Sequence, residues 1–345
     1  MGGDIMKELK FCTCFPDDAY FTWQVHMWLE SLKNIGLSDK AIVLIFTPKH
    51  REPNKAKYQQ IIDLYPEVEW NWYKDEEGEV TSKLGIYIPI LRPWTAMKYW
   101  QDHPDMKDKA VMYTDSDILF TERFNIDHLL DDDVIYCSDT NSYINATYFD
   151  SKIKDVLPEK LEEYKTIDVL DTASRMAGIN RKVCEKNNLD SGGTQYLFKN
   201  IDVEYWERVY DNIIPVLQYL RSINRQFFAN ESKGLQSWTI DMWLVLWELW
   251  RRGQETKIVP ELDFAWVHDP LTKLEKVSIY HNAGATSPFT GDMPVFYKGK
   301  YHRGEDPMLD PHLDLVLNDE KAKKHCTWYY ASKLDELRKK YGLKY

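Results

Sequence analysis

Asp115-Ser116-Asp117 sets two carboxylates one residue apart, after the apolar run Ala110 to Tyr113 and before Ile118-Leu119-Phe120. Hard oxygen donors at that spacing suit a divalent cation such as Mn2+ or Mg2+, which in turn bridges phosphate oxygens. A solvated turn with aspartates at its polar positions is the alternative. The flanking apolar segments favour the metal, because acids placed between buried strands must be compensated. His281 follows another β-prone run and precedes Asn282-Ala283-Gly284. It offers a neutral imidazole nitrogen as a third ligand, or serves as a hydrogen-bonded structural histidine. Lys298 and Lys300 flank Gly299, and either ammonium can neutralise a diphosphate; two solvated lysines beside a turn is the alternative.

A second set of polar residues is scattered along the chain. Asp190-Ser191-Gly192-Gly193-Thr194-Gln195 reads as a loop whose paired glycines permit close backbone approach to a ligand, with Asp190 and Gln195 supplying polar contacts, or as a plain turn. Asp241 opens a tryptophan-rich helix, where the helix dipole alone favours an acid. Arg92, before Pro93, can reach a base or phosphate or remain a surface charge. Asp139, in Ser138-Asp139-Thr140-Asn141, can line a sheet edge or close a hydrogen-bonded turn.

The elements that must carry these residues follow from pattern. Lys10 to Cys14 predicts a strand, Phe21 to Asn34 a helix, Ala41 to Phe46 (AIVLIF) a strand covered on both faces, Lys55 to Tyr65 a helix and Val68 to Tyr73 a third strand. This strand–helix alternation is the rhythm of an α/β fold, a mostly parallel sheet with helices on both faces. A helix over Arg92 to Gln101 leads to the strand Ala110 to Tyr113, so the acids fall at the carboxyl edge, where such sheets bind ligands. Further on, the pattern predicts a strand over Val134 to Ser138, charged helices between Ser151 and Cys184, and a helix over Val203 to Leu220. A helix over Ser237 to Arg251 carries Trp243, Trp247 and Trp250 on one face, more simply core than platform. Short strands at Lys257 to Pro260, Phe264 to Val267 and Val277 to Tyr280 precede a Gly-, Pro- and Tyr-rich stretch and a final helix over Cys326 to Lys340. Residues 6–345 read as one domain, with 6–137 its regular half and 138–345 its elaborated half. Met1 to Ile5, ahead of a second methionine, reads as a cloning scar.

Composition bounds the rest. The 345 residues carry 44 Lys plus Arg against 55 Asp plus Glu, a net charge of −11, which weighs against a surface built wholly for phosphate. No apolar run approaches the ~20 residues of a membrane helix, and no signal pattern is present, so a cytoplasmic protein with no membrane partner is expected. Five scattered cysteines indicate neither a disulfide framework nor a structural zinc site. Aromatic residues reach 14% of the chain, a composition suited to flat amphipathic ligands such as sugars and bases. The glycine signatures of P-loop hydrolases and dinucleotide-binding dehydrogenases are absent.

Taken in order, these motifs resemble those of GT-A-fold, metal-dependent glycosyltransferases that use a nucleotide sugar. Asp115-Ser116-Asp117 is similar to the family DxD motif. His281, Gly284 and Lys298 or Lys300 resemble the HxxG…K tail of retaining members related to glycogenin and bacterial galactosyltransferases. Asp190-Ser191-Gly192 is similar to their sugar-contacting loop, and Asp241 to their helix-start acid. Tyr20-Phe21-Thr22-Trp23-Gln24 and Gly192-Gly193 resemble hydroxyproline arabinosyltransferases and peptidyl-serine galactosyltransferases. The likeness spans Lys10 to Tyr301. One position departs from it: Ile240 stands where retaining relatives often carry a glutamine.

The resemblance implies that Asp115, Asp117 and His281 hold Mn2+ or Mg2+ against the diphosphate of a donor such as a UDP-sugar. Arg92, Ser116, Asp139, Ser191, Gly192, Gly193, Lys298 and Lys300 would contact that donor, while Asp190, Gln195 and Asp241 orient the sugar. A small sugar, a peptide hydroxyl or a hydroxylated DNA base each suits as acceptor. A base acceptor, as in phage-encoded DNA glycosyltransferases, would require base extrusion and a basic patch drawn from Arg175, Arg181, Lys182, Lys186, Arg221 and Arg225. The rival readings are a haloacid-dehalogenase-type phosphatase, which would carry its DxD near the N-terminus and Thr or Val where Leu119 stands, and a non-catalytic sugar-binding protein.

Overall fold

A computed structural model describes residues 7–342; the reading of Met1 to Ile5 lies outside the described residues. In chain order the strands that bear on function are β1 (Leu9–Pro16), β2 (Ala41–Thr47), β3 (Glu69–Lys74), β4 (Ala110–Thr114), β5 (Ile118–Phe120), β6 (Ile135–Ser138), β7 (Gly193–Lys199), β8 (Thr256–Ile258), β9 (Phe264–Ala265) and β10 (Ile279–His281). The longer helices are α1 (Thr22–Asn34), α2 (Lys55–Leu64), α3 (Leu91–Asp102), α4 (Val203–Phe227), α5 (Ile240–Arg251) and α6 (Cys326–Tyr341). The class is mixed α/β, with largely parallel β-structure flanked by helices, Rossmann-like in its opening β–α–β–α–β order.

The chain builds two compact units from alternating segments. One comprises residues 10–74, 114–127 and 260–342. In it β1, β2 and β3 run parallel, with Phe11 opposite Ala41 and Ile42 opposite Glu69. Every residue of β2 is buried, as expected of a strand apolar on both faces. A smaller sheet places β10 antiparallel to β5 and parallel to β9. Its core gathers Trp23 and Met27 of α1 with Tyr280, Phe296, Tyr301 and the apolar face of α6. The other unit comprises residues 7–9, 75–113 and 128–259. There β7 runs antiparallel to both β4 and β6, and β8 is parallel to β6. Here α4 continues past Leu220 to Phe227 because Ile223 and Phe227 prolong its buried stripe, with Pro215 accommodated inside it. Trp243, Trp247 and Trp250 of α5 are core residues. Glu248 on the same helix is buried among Arg208, Arg251 and Arg252.

All five cysteines are buried free thiols. Among the described residues no helix is long and apolar enough to cross a membrane.

His26 on α1 makes the first prediction. Its ring packs against Tyr65 and Tyr341, and burial lowers its pKa from 6.5 to about 4. In that window the unfolded chain takes up a proton that the folded one refuses, so stability falls as pH drops. The expected loss between pH 7 and pH 4 is about 3 kcal/mol. Urea unfolding of His26→Gln should lack this component; identical pH slopes in both proteins would contradict it.

Candidate functional site

The antiparallel register of β5 and β10 builds the cluster. His281 pairs with Ile118, and the Asn282 amide donates to the Asp117 carbonyl at 2.9 Å, which draws the imidazole to the turn between β4 and β5. His281 Nε2 lies 3.6 Å from Asp115 Oδ2 and 3.4 Å from Asp117 Oδ1. One ligand atom from each of the three residues lies within 4.8 Å of the others. Ligands about 2.1 Å from one cation are about 3 Å apart when adjacent and about 4.2 Å when opposite. The observed separations fit a shared divalent ion after a contraction of about half an ångström. Two carboxylates and an imidazole are also the donor chemistry such an ion selects. The Trp266 ring stacks on His281 at 5.5 Å and 17°, with Phe264 against its edge, fixing the imidazole plane.

The electrostatics agree with a cation site. Asp117 is buried, its side chain 4% exposed, and Lys298 forms an ion pair with its Oδ2. Burial pushes the Asp117 carboxyl up, but Lys298 and His281 more than reverse this and hold it well below the usual carboxylate range. Burial works equally against the Lys298 charge, and Asp117 together with Asp115 restores it and raises that pKa. Tyr20 lies in the same field; burial raises its phenol to about 12 although Lys298 opposes the shift. Ser116 is buried between the two acids. Lys300 is directed elsewhere and pairs with Asp310 at 2.5 Å.

The remaining candidates lie in the other unit. Asp241, in the first turn of α5, is held by the Tyr87 hydroxyl at 2.6 Å and by Arg92 Nη1 at 3.7 Å. Burial and the Asp241 carboxylate raise the Tyr87 pKa well above its ordinary value, so it remains a donor. Gln195 on β7 accepts a hydrogen bond from Ser138 Oγ. Asp190 is half-buried, and its Oδ1 accepts from the Ile258 amide at 3.4 Å. Ser191 is buried and donates to the Asn187 carbonyl at 3.0 Å. Gly192 and Gly193 are packed too closely for a Cβ, and Thr194 follows with φ of 75°, beside a register shift at Cys137/Ser138. Strained backbone next to a bulge is the pattern of a positioned loop. Asp139 is exposed and closes a turn onto the Asn141 amide.

Of the basic residues considered for nucleic acid, Arg175 pairs with Asp171, and Arg181 with Asp150, Asp168 and Glu185. Tyr87 is a partner of Asp241 that pattern alone did not single out, and nothing in its sequence neighbourhood signals it, because the contact is remote in sequence.

The Tyr87 contact yields the second prediction. Tyr87→Phe should destabilise the fold by about 2 kcal/mol, the range for a hydrogen bond to a charged group. Urea midpoints shifted by less than the error of the fit would show that Asp241 does not depend on Tyr87.

No family model matches the chain, and no curated protein matches it. The solved structures that resemble it include three at low sequence identity. The WbbM bifunctional glycosyltransferase apo structure is 12% identical over 97% of this chain and 53% of that one, with a TM-score of 0.43; the chain thus spans about half its length. Mouse xyloside xylosyltransferase 1, apo form, is 11% identical over 81% and 99%, with a TM-score of 0.37. Galactosyltransferase LgtC in complex with donor and acceptor sugar analogues is 10% identical over 85% and 93%, with a TM-score of 0.39.

Proposed function

We propose that the protein is a metal-dependent glycosyltransferase of the GT-A type, moving a sugar from a nucleotide diphosphate sugar, a UDP-sugar first among them, to a hydroxyl acceptor. The observation that carries this reading is the convergence of Asp115, Asp117 and His281, with Lys298 beside them. A carboxylate pair whose buried member, Asp117, is already compensated by Lys298 is built for more positive charge, and an anionic diphosphate is a natural partner for the resulting centre. Asp115, Asp117 and His281 would hold Mn2+ or Mg2+, and the chemistry supplied there would be electrostatic relief of the negative charge that grows on the diphosphate.

This chain's own residues supply the rest. Lys298, beside Asp117, would place its ammonium against the leaving phosphate. Asp190, Gln195 and Asp241 would bind the hydroxyls of the transferred sugar, and the Tyr87 and Arg92 contacts fix the Asp241 carboxylate for that role. The bond between the anomeric carbon and the phosphate oxygen breaks with its electron pair on the phosphate, and the acceptor oxygen forms the new bond. We favour retention, in which the departing phosphate takes the acceptor proton; in an inverting course Asp241 would be the base.

A screen of nucleotide sugars with and without Mn2+, with mass spectrometry on acceptor pools, tests the reading. Release of a nucleoside diphosphate, coupled to a mass gain of one sugar, is expected. Phosphate release from simple monoesters instead would overturn it in favour of a phosphatase.

A further inference from the structure

Trp238 precedes Asp241 by three residues and is 61% exposed, while Trp243, Trp247 and Trp250 of α5 are buried. Its indole stacks on Tyr143, with ring centroids 6.1 Å apart and planes 29° from parallel. Its carbonyl lies 2.8 Å from the same Tyr87 hydroxyl that reaches Asp241. The Tyr143 turn is tied in turn to the loop carrying Asp190, since Asn141 Nδ2 donates to the Asn188 carbonyl at 2.5 Å. Leu189 on that loop and Ile88 next to Tyr87 are exposed as well. One unit therefore presents an aromatic pair bound by hydrogen bonds to the elements that hold Asp241 and Asp190.

We infer that Trp238, backed by Tyr143, is the acceptor platform, and that the acceptor is a carbohydrate whose pyranose ring stacks on the indole. The inference rests on the transferase reading and narrows its acceptor. A pyranose has an apolar C–H face and a rim of hydroxyl donors, which matches an exposed aromatic face beside carboxylates. The neighbouring charges argue against anionic ligands. Asp139, Asp190 and Asp241 are acids, and Arg92 is engaged with Asp241. A nucleic-acid backbone or a nucleotide phosphate would meet the Asp241 carboxylate there.

The test uses the full chain on immobilised neutral oligosaccharides, followed by interferometry, for wild type, Trp238→Ala and Trp238→Phe. Wild type should bind at least one pyranose oligosaccharide, Trp238→Ala should weaken that binding about tenfold or more, and Trp238→Phe should recover most of it. Retention by wild type of no saccharide, or equal retention by Trp238→Ala, would overturn the platform. So would a Trp238→Ala defect confined to UDP with Mn2+, or to duplex DNA with hydroxylated bases. Nucleotide-sugar turnover is read on the same preparations. A saccharide-binding defect in Trp238→Ala without any wild-type turnover would sink the transferase reading and leave the platform standing.

Discussion

Asp117→Asn should lower sugar transfer by about 10³-fold at saturating donor while leaving the protein folded. The substitution keeps the shape of the side chain and removes one negative charge from the point where Lys298 and His281 converge. A carboxamide oxygen is a weak cation ligand, so the centre loses its most buried donor. The stabilisation expected from a bound ion on developing phosphate charge is several kcal/mol, and about 4 kcal/mol corresponds to about 10³ in rate. Folding is expected to survive because Lys298 is only half-buried and can extend its ammonium to water. Circular dichroism and urea unfolding check the fold, and initial rates over a range of Mn2+ check the activity. Turnover within threefold of wild type would remove Asp117 from the mechanism.

The second large effect is expected at Gly192. A Cβ there would meet the Ser138 carbonyl oxygen, the Cys137 sulfur at 2.5 Å and Ile258 Cγ1 at 2.8 Å. All three belong to β6 and β8, strands with no room to retreat without breaking their own pairing. Gly192→Ala should therefore destabilise the protein by about 3 kcal/mol or more, at the top of the overpacking range. It should also displace Asp190 and Gln195, two and three residues away. Gly193→Ala is the control, since there the nearest atoms are the mobile tip of Met242 and the Tyr196 hydroxyl, both at 2.6 Å. A thermal-unfolding shift smaller for Gly192→Ala than for Gly193→Ala would refute the packing argument.

How far the sequence leads differs from element to element. The β–α–β–α–β opening is legible because Ala41 to Phe46 is apolar on both faces and α2 buries Tyr58 and Ile61 at helical spacing. The segment 151–184 reads only as charged and helical. It is in fact several short helices, two of them capped by the side chains of Asp168 and Asn180, a division that periodicity cannot show. Asp115 and Asp117 are legible from the apolar strand that precedes them. His281 joins them through a strand pairing more than 150 residues away in sequence, which no local pattern encodes. Lys298 and Lys300 could not be separated from sequence. They share a single 3-10 turn, in which residues two apart point about 240° apart around the axis, so one reaches Asp117 and the other Asp310. The alternating segments of the two units are likewise invisible to a reading that proceeds along the chain.

Mn2+ titration followed by electron paramagnetic resonance reads whether Asp115, Asp117 and His281 together bind a divalent ion that engages a nucleotide diphosphate. One ion bound per chain is expected, held about tenfold tighter when a nucleoside diphosphate is present, and lost in Asp117→Asn. Mn2+ that stays free in wild type, or binds Asp117→Asn equally well, would contradict it.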